Sequence, residues 1–220
     1  MTIHVLVEGS SERAFLDGWL PRLRLTQPLS VHHHQGKGRL PTNLNAAPDP
    51  RKRGLLDQLP AKLRGYASSL NRVTDSILVL VDSDDDDVAN LIAEIQAAAN
   101  HCCPEIALQV CIAVEEMEAF YLADLAALRR GYPVHDAAMA RAYEPDSICG
   151  TWELFGRVIG DDGGNKVAWA ERMGAYVTTD GARSRSPSFR LMLSSFNVLN
   201  SQPSVMARKA RKYRRAPKKR

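Results

Sequence analysis

The sequence predicts an α/β fold, in which helices cover both faces of a doubly wound, mainly parallel four-stranded sheet and a helical extension follows at the C-terminal end. Two observations predict it. Short apolar runs alternate four times with segments of helical periodicity over about the first 130 residues. The run Ser76 to Val81 (SILVLV) is apolar without a break, which is typical of a strand buried on both faces of a parallel sheet.

The first strand and helix unit opens the chain. Thr2 to Val7 is a short β-branched apolar run that ends in Glu8 and Gly9, as expected for a strand followed by a turn. A helical pattern then begins at Ser10 or Ser11, and Ser11 is its predicted N-cap because a serine hydroxyl can accept a hydrogen bond from the first helical turn.

The second unit is interrupted by a long loop. A short strand is predicted from Leu29 to His34, and the segment from Gln35 to Pro50 is rich in Gly, Pro and Asn, which indicates a loop. Leucines then recur at helical spacing from Leu55 to Leu70, which predicts the second helix.

The third and fourth units complete the alternation. The strand from Ser76 to Val81 is followed by a predicted helix from Val88 to Ala99. A fourth strand is predicted from Ile106 to Val114, and Glu115 to Leu128 carries apolar side chains on one broad helical face.

The pattern of alternating strands and helices stops near residue 130. Helices are predicted at Ser147 to Ile159, Val167 to Met173 and Phe189 to Leu199, with a glycine-rich turn from Asp161 to Lys166. We therefore expect an α/β domain over residues 1–130, a helical extension over residues 131–206 and a basic disordered tail over residues 207–220.

The charge of the chain is unevenly distributed. Residues 207–220 hold nine Lys or Arg and no acid, which leaves 20 basic against 25 acidic residues in the rest of the chain. A basic tail on an acidic body is typical of contact with nucleic acid or with an acidic partner surface. The alternative is a tail that only aids solubility.

The composition predicts a cytoplasmic protein without a membrane partner. Hydrophobic residues make up 45% of the chain, yet no run reaches the roughly 18 apolar residues of a membrane span, and the first residues lack the pattern of a signal peptide. Cys102 and Cys103 are adjacent whereas Cys111 and Cys149 stand alone, so the spacing indicates neither a zinc site nor a disulfide framework. We expect reduced, mostly buried thiols.

Acidic residues follow three of the four predicted strands. Glu8 follows the first, the run Asp82 to Asp87 follows the third, and Glu115, Glu116 and Glu118 follow the fourth. In open α/β sheets the ligand site lies at the carboxyl ends of the strands, so these groups are expected to converge if the three strands are neighbours. Their mutual repulsion would require a cation.

The ligand types favour Mg²⁺ or Mn²⁺, because hard carboxylate oxygens are present without a nearby set of His and Cys ligands. Asp82 and Asp84 form a D-x-D pair whose side chains point the same way in extended chain, and Asp86 could extend the set. The alternative is that the aspartates cap the next helix, complement its dipole or are simply solvated, and Asp85 and Asp87 are expected to have such capping or solvated roles.

Two of these segments resemble a known domain. VEGSSE (Val7 to Glu12) and LVDSDDD (Leu80 to Asp86), each after an apolar strand, resemble the TOPRIM domain of topoisomerases, primases and nucleases of the overcoming-lysogenization-defect type. The resemblance implies that Glu8, Asp82 and Asp84 hold Mg²⁺ for phosphoryl transfer. Nothing resembles the tyrosine-bearing domain of topoisomerases or the zinc module of primases, so nucleic-acid hydrolysis is the expected reaction.

Three further segments resemble an uncharacterised family of small TOPRIM-like bacterial proteins: HQGKG (His34 to Gly38), VEEMEAFYLAD (Val114 to Asp124) and SPSFR (Ser186 to Arg190). This resemblance implies a role in phage defence beside an ABC-type ATPase partner. It leaves open a catalytically silent subunit that binds nucleic acid or regulates the ATPase.

The expected roles of the acidic residues follow from metal-dependent hydrolysis. Asp82 and Asp84 are the predicted primary ligands, and Glu8 is a ligand or the general acid and base. Asp86 is a further candidate ligand. Glu118, together with Glu115 or Glu116, is a candidate for holding a second ion, although the solvated start of a helix explains it nearly as well.

Three cationic residues are candidates for binding substrate phosphates. Lys37 lies between two glycines, Lys166 follows a glycine-rich turn, and Arg190 lies in SPSFR. Each could equally be an ordinary exposed residue. The three histidines from His32 to His34 would alternate between the faces of a strand, which argues against a shared metal. His34 is a minor candidate for a functional role.

Overall fold

Four parallel strands form one sheet in the computed structural model, which describes residues 2–147, 150–161 and 163–201. The strands are β1 (Ile3–Val7), β2 (Leu29–His33), β3 (Ser76–Asp82) and β4 (Ala107–Ala113), and their order across the sheet is β2-β1-β3-β4. Every neighbouring pair is parallel. The predicted doubly wound α/β fold with a helical C-terminal part is confirmed, and the four strands lie within a residue or two of their predicted bounds.

Nine α-helices occur in the described part of the chain, and three of them connect the strands. These are α1 (Ser10–Trp19), α2 (Leu55–Ser69) and α3 (Val88–Cys102). The helices after β4 are α4 (Glu118–Ala123), α5 (Leu125–Gly131), α6 (Ala137–Ala142), α7 (Thr151–Ile159), α8 (Lys166–Gly174) and α9 (Pro187–Ser201). Short 3₁₀ turns span Leu20–Arg22 and Gly181–Arg183.

Two details of the predicted helices are wrong. The single helix expected from Glu115 to Leu128 is two helices, because the Asp124 carboxylate accepts a hydrogen bond from Ala127 N at 2.9 Å and caps a new helix there. The predicted N-cap is also wrong. Gly9 precedes α1 without a side-chain cap, and the Ser11 hydroxyl donates to the Glu12 carboxylate instead.

The sheet is buried on both faces, as the continuous apolar run of β3 predicts. Leu78 and Leu80 pack into one hydrophobic cluster with α1 and the C-terminal helices. Ile77 and Val79, on the opposite face, pack into a second cluster with α2 and α3. Alternate residues of one strand therefore serve two separate cores.

The C-terminal helices share the first of these cores with the sheet. Trp19 of α1 is fully buried, and the rings of Phe189 and Phe196 from α9 meet it edge-on with ring centroids 5.5 and 5.9 Å away. The indole N–H of Trp19 donates to Thr178 O at 2.9 Å. These contacts fix the C-terminal helices against α1.

The predicted basic tail, residues 207–220, and Cys149 lie outside the described residues. Cys102, Cys103 and Cys111 are free and buried, as expected. Among the described residues, no helix has the length and apolar character needed to cross a membrane.

The closest approach between α1 and α8 depends on a glycine. A Cβ added to Gly174 would lie 2.4 Å from Phe15 O, and one added to Gly18 would lie 3.2 Å from Gly174 C. Backbone atoms cannot yield as a flexible side chain can. The absence of a side chain at Gly174 therefore allows α8 to pack directly on α1.

We predict that Gly174→Ala lowers the free energy of unfolding by about 1–3 kcal/mol, because its methyl group would overpack the contact with Phe15. Urea-induced unfolding measures the change. Gly65→Ala is the matched control, since a Cβ at that exposed position of α2 meets nothing within 4 Å and should stabilise the helix by up to about 1 kcal/mol. Equal stability of Gly174→Ala and the unmodified protein would contradict this account of the packing.

Candidate metal site at the carboxyl edge of the sheet

The candidate site lies where β1, β3 and β4 end. The strand order places β3 between β1 and β4, so the three strands that carry acidic residues at their ends are neighbours, as the convergence of the acids requires. The register pairs Val7 with Leu80 and Asp82 with Ala113. Glu8 therefore follows β1 beside the end of β3.

Glu8 bridges the ends of β1 and β3. Its carboxylate Oε1 accepts a hydrogen bond from Asp82 N at 2.8 Å. Burial raises the pKa of Glu8 to about 8, although the hydrogen bond from Asp82 N acts to lower it. The negative charges of Glu12 and Asp84 add to the rise. The group therefore holds a proton near neutral pH in the absence of a compensating cation.

Asp82 lies at the centre of the acidic group. Burial raises its pKa well above the ordinary range, and the charges of Glu8, Glu12 and Glu118 raise it further, in that order. Glu118, the first residue of α4, is only 3% exposed. Burial raises its pKa to about 7, although Lys166 acts in the opposite direction.

Glu12 is a member of this group that the sequence reasoning missed. It lies in the first turn of α1 and is 8% exposed, and its charge acts on Glu8, Asp82 and Glu118. Its position in the VEGSSE segment, four residues after Glu8 and at the start of a helix, was the available signal. We define the carboxylate cluster as Glu8, Glu12, Asp82 and Glu118.

Tyr121 is a second residue that the sequence reasoning missed. It lies one turn after Glu118 on α4, is fully buried, and its hydroxyl has no hydrogen-bond partner within the described structure. Burial raises the pKa of Tyr121, and the charges of Glu118, Glu12 and Asp82 raise it further. An unpaired phenolic donor thus lies close to the carboxylate cluster.

Asp84 and Asp82 do not share one direction, because the chain is not extended between them. Asp84 has a left-handed backbone with φ of 47°, and its N–H donates to Glu115 O. Its carboxylate forms an ion pair with Lys37 Nζ at 2.8 Å. The extended geometry assumed for the D-x-D pair is therefore wrong, since β3 ends at Asp82 and a turn follows.

The ammonium group of Lys37 contacts the end of β3 and the loop that follows it. Nζ contacts the carboxylates of Asp84 and Asp86 at 2.8 and 2.7 Å and donates to Ser83 O at 2.9 Å and Asp82 O at 3.3 Å. These carboxylates raise the pKa of Lys37, although burial acts against them. Lys37, the predicted phosphate-binding residue, therefore contacts the acidic run after β3.

The remaining aspartates of the run are exposed. Asp87 caps α3, because its carboxylate accepts a hydrogen bond from Asn90 N at 2.8 Å. The predicted capping role of Asp87 is confirmed. Asp85 is exposed, in agreement with its expected solvated position.

Glu115 and Glu116 face the C-terminal helices. The Glu115 carboxylate accepts a hydrogen bond from the Tyr143 hydroxyl at 2.9 Å. The Glu116 carboxylate accepts from Trp152 N at 2.9 Å, at the start of α7, and forms an ion pair with Lys166 at 3.2 Å. Glu115 does not lie on the same helix as Glu118, because α4 begins only at Glu118 and Glu115 has φ of 69°.

The other candidate residues divide by location. Lys166 lies near the carboxylate cluster, where Glu118 and Glu116 raise its pKa although burial would lower it. Arg190 is exposed on α9 and donates to Ser184 O, and no contact among the described residues joins it to the cluster. His34 donates from Nδ1 to Val7 O at 2.8 Å, and its buried Nε2 has no hydrogen-bond partner among the described residues.

The carboxylate cluster contains the ligand type that Mg²⁺ prefers, but its side chains are not positioned to coordinate an ion together. Across residues 2–147, 150–161 and 163–201, no group of three or more His, Cys, Asp or Glu side chains is arranged to hold a metal ion. The available donors are carboxylate oxygens, which suit Mg²⁺ or Mn²⁺. Burial raises the pKa values of Glu8 and Glu118 most, and neighbouring carboxylates add to the rise, so a divalent cation bound here would favour the ionised forms.

One comparison with known proteins gives a match. A family model described as "Domain of unknown function (DUF4276)" matches residues 7–197, which include every residue of the carboxylate cluster. No curated protein and no solved structure matches the chain.

The raised pKa of Glu8 predicts that stability falls as the pH rises. Between pH 7 and 8.5 the folded protein holds a proton on Glu8 that the unfolded chain lacks, so raising the pH should lower the free energy of unfolding by about 1 kcal/mol. Denaturant unfolding in EDTA measures this loss. The window lies above the ordinary histidine pKa, so the histidines add little.

The matched variant for this measurement is Glu8→Gln, which keeps an oxygen to accept from Asp82 N and removes the ionisable group. Its stability should change less over the same pH range. A stability of the unmodified protein that stays constant or rises from pH 7 to 8.5 would contradict the raised pKa.

Proposed function

The chain belongs to the family described as a domain of unknown function (DUF4276), and we propose that it is a metal-dependent phosphodiesterase that hydrolyses nucleic acid. The observation that carries this proposal is the carboxylate cluster at the carboxyl edge of a parallel sheet. The resemblance of its sequence segments to the TOPRIM domain supports the same reaction class.

A divalent cation would stabilise the ionised form of the carboxylate cluster. Glu8, Asp82 and Glu118 come from three chain segments, and their raised pKa values mean that ionising all three without a cation is unfavourable. Structural acids usually escape this repulsion by pairing with Lys or Arg. Here Lys37 pairs with Asp84 and Asp86 instead.

We assign Glu8 and Asp82 as the residues that would hold Mg²⁺ or Mn²⁺, with Glu118 supporting them. Asp84 and Asp86 would join this set only after leaving the ammonium group of Lys37. When bound, the cation would polarise the scissile phosphate and lower the pKa of the attacking water.

Proton transfer falls to the same carboxylates. A group that accepts and returns a proton near neutral pH works best with a pKa close to the operating pH. Glu8, with a pKa of about 8, and Glu118, with a pKa of about 7, both meet this condition. Because Glu8 is assigned to the cation, Glu118 is assigned as the general acid and base.

Two lysines flank the cluster and would neutralise substrate phosphates. Lys37 lies beside the loop after β3, and Lys166 lies beside Glu116 with its Nζ 4.9 Å from the centroid of the Trp152 ring. Arg190 is exposed elsewhere on the C-terminal helices and has no role in this mechanism.

The setting of the reaction is also a proposal. We place the protein in the cytoplasm, where the basic sequence of residues 207–220 would attract nucleic acid, and where an ABC-type ATPase would be its partner in phage defence. A catalytically silent subunit would bind nucleic acid or the ATPase without cleaving the strand, so cleavage by the purified protein separates the two functions.

We predict that the purified protein cleaves nucleic acid in Mg²⁺ or Mn²⁺ and that Asp82→Asn lowers the cleavage rate by about 10²-fold or more. Gel assays on labelled single-stranded and double-stranded DNA and RNA measure the rate. Asparagine matches the shape of the protonated carboxyl, so the variant should fold.

The control for this experiment is Asp87→Asn, which changes the same charge in the same loop and keeps a residue suited to capping α3. It should cleave at close to the unmodified rate. Equal activity of Asp82→Asn and the unmodified protein would sink the proposed role of Asp82.

A further inference from the structure

A small cavity on the C-terminal side of α1 is lined by three arginines. Its volume is about 160 Å³, and the arginines are Arg22, Arg130 and Arg183, which we call the arginine pocket. They come from three separate segments: the 3₁₀ turn after α1, the helix α5 and the 3₁₀ turn before α9. Asp124 and Asp180 also line the cavity, so three positive and two negative side chains leave a net formal charge of +1 there.

Two of the guanidinium groups are held in place by the protein. Arg22 Nη1 donates to Gly174 O at 2.9 Å and to Val177 O at 2.7 Å. Arg130 lies over the ring of Tyr176, with Cζ 5.0 Å from the ring centroid. Less side-chain entropy would therefore be lost when a ligand binds these two groups.

The positive charge of the pocket is not balanced by ion pairs. In the described part of the chain, none of the three arginines forms an ion pair with a carboxylate. Burial lowers the pKa of Arg22, and the positive charge of Arg130 lowers it further, with Asp124 acting in the opposite direction. At Arg22, the repulsion from Arg130 thus exceeds the attraction of Asp124.

The two acids that line the cavity are engaged elsewhere. Both carboxylate oxygens of Asp124 accept backbone hydrogen bonds, from Ala127 N at 2.9 Å and from Thr178 N at 2.8 Å. The Asp180 carboxylate accepts from Ala182 N at 3.0 Å. Three of the four carboxylate oxygens thus accept from the backbone, and among the described residues neither acid forms an ion pair with the three arginines.

We propose that the arginine pocket binds a phosphate group. Guanidinium groups match the oxygens of phosphate in charge and in the spacing of paired donors. The cavity is smaller than the roughly 300–1,000 Å³ of pockets that enclose drug-sized ligands, so it accommodates one oxyanion group better than a whole nucleotide. Free inorganic phosphate and the terminal phosphate of a nucleic acid strand share this chemistry.

The pocket is separate from the carboxylate cluster. No residue of the cluster lines the cavity, so phosphate binding there does not depend on the proposed phosphodiesterase activity. The two proposals can therefore fail independently of each other.

Calorimetric titration of the full chain with inorganic phosphate, at low salt and in EDTA, tests the proposal. EDTA removes divalent cations, through which phosphate could bind at the carboxylate cluster. We expect saturable binding that Arg130→Gln and Arg183→Gln each weaken by about tenfold or more, because each loses a charge-assisted contact. Both side chains are exposed, so the variants should fold.

Arg129→Gln is the matched control, because it removes the same charge from the neighbouring exposed position of α5, which does not line the cavity. It should leave the affinity nearly unchanged. Absence of saturable phosphate binding, or equal weakening by Arg129→Gln and Arg130→Gln, would overturn the proposal.

A second titration identifies the source of the phosphate. Two short single-stranded DNA oligonucleotides of the same sequence, with and without a 5′-phosphate, are compared on the unmodified protein and on Arg130→Gln. Tighter binding of the phosphorylated strand that Arg130→Gln removes supports the pocket as a site for strand ends. Equal binding of the two strands, together with phosphate binding in the first titration, supports free phosphate.

Discussion

The removal of neighbouring carboxyl groups from water, together with their mutual repulsion, governs the candidate site. The parallel order of the sheet brings Glu8 beside Asp82, and α4 begins with the buried Glu118 at the same edge. Without a cation, the group lowers its charge by retaining protons, as the raised pKa values indicate. A divalent ion would remove the need for those protons, so proton binding and cation binding compete at this edge.

The C-terminal helices complete the same edge of the sheet. Glu116 receives hydrogen bonds from the start of α7, and Lys166 at the start of α8 pairs with it. The Tyr143 hydroxyl donates to the carboxylate of Glu115, which has a left-handed backbone conformation shortly before the buried Glu118 begins α4. The helical extension therefore positions the segment after β4. The extension also shares a hydrophobic core with the sheet.

The fold was predictable because its signals are local. The uninterrupted apolar run of β3 and the leucine spacing of α2 each require only a short window of sequence. The location of the acidic residues at strand ends was equally visible. The direction of each side chain was not, since Asp84 pairs with Lys37 and its backbone bonds to Glu115, both of which are distant in the sequence. Glu12 was missed because its burial arises from tertiary packing.

The most direct test of the metal site is the anomalous scattering of Mn²⁺ in crystals of the protein grown or soaked with that ion. The account predicts a peak in contact with the carboxylates of Glu8 and Asp82, at about 2.0–2.2 Å from their oxygens, as for a small hard divalent ion. A saturating soak that gives no peak at these residues, or a peak only beside Asp86 and distant from Glu8, would contradict it.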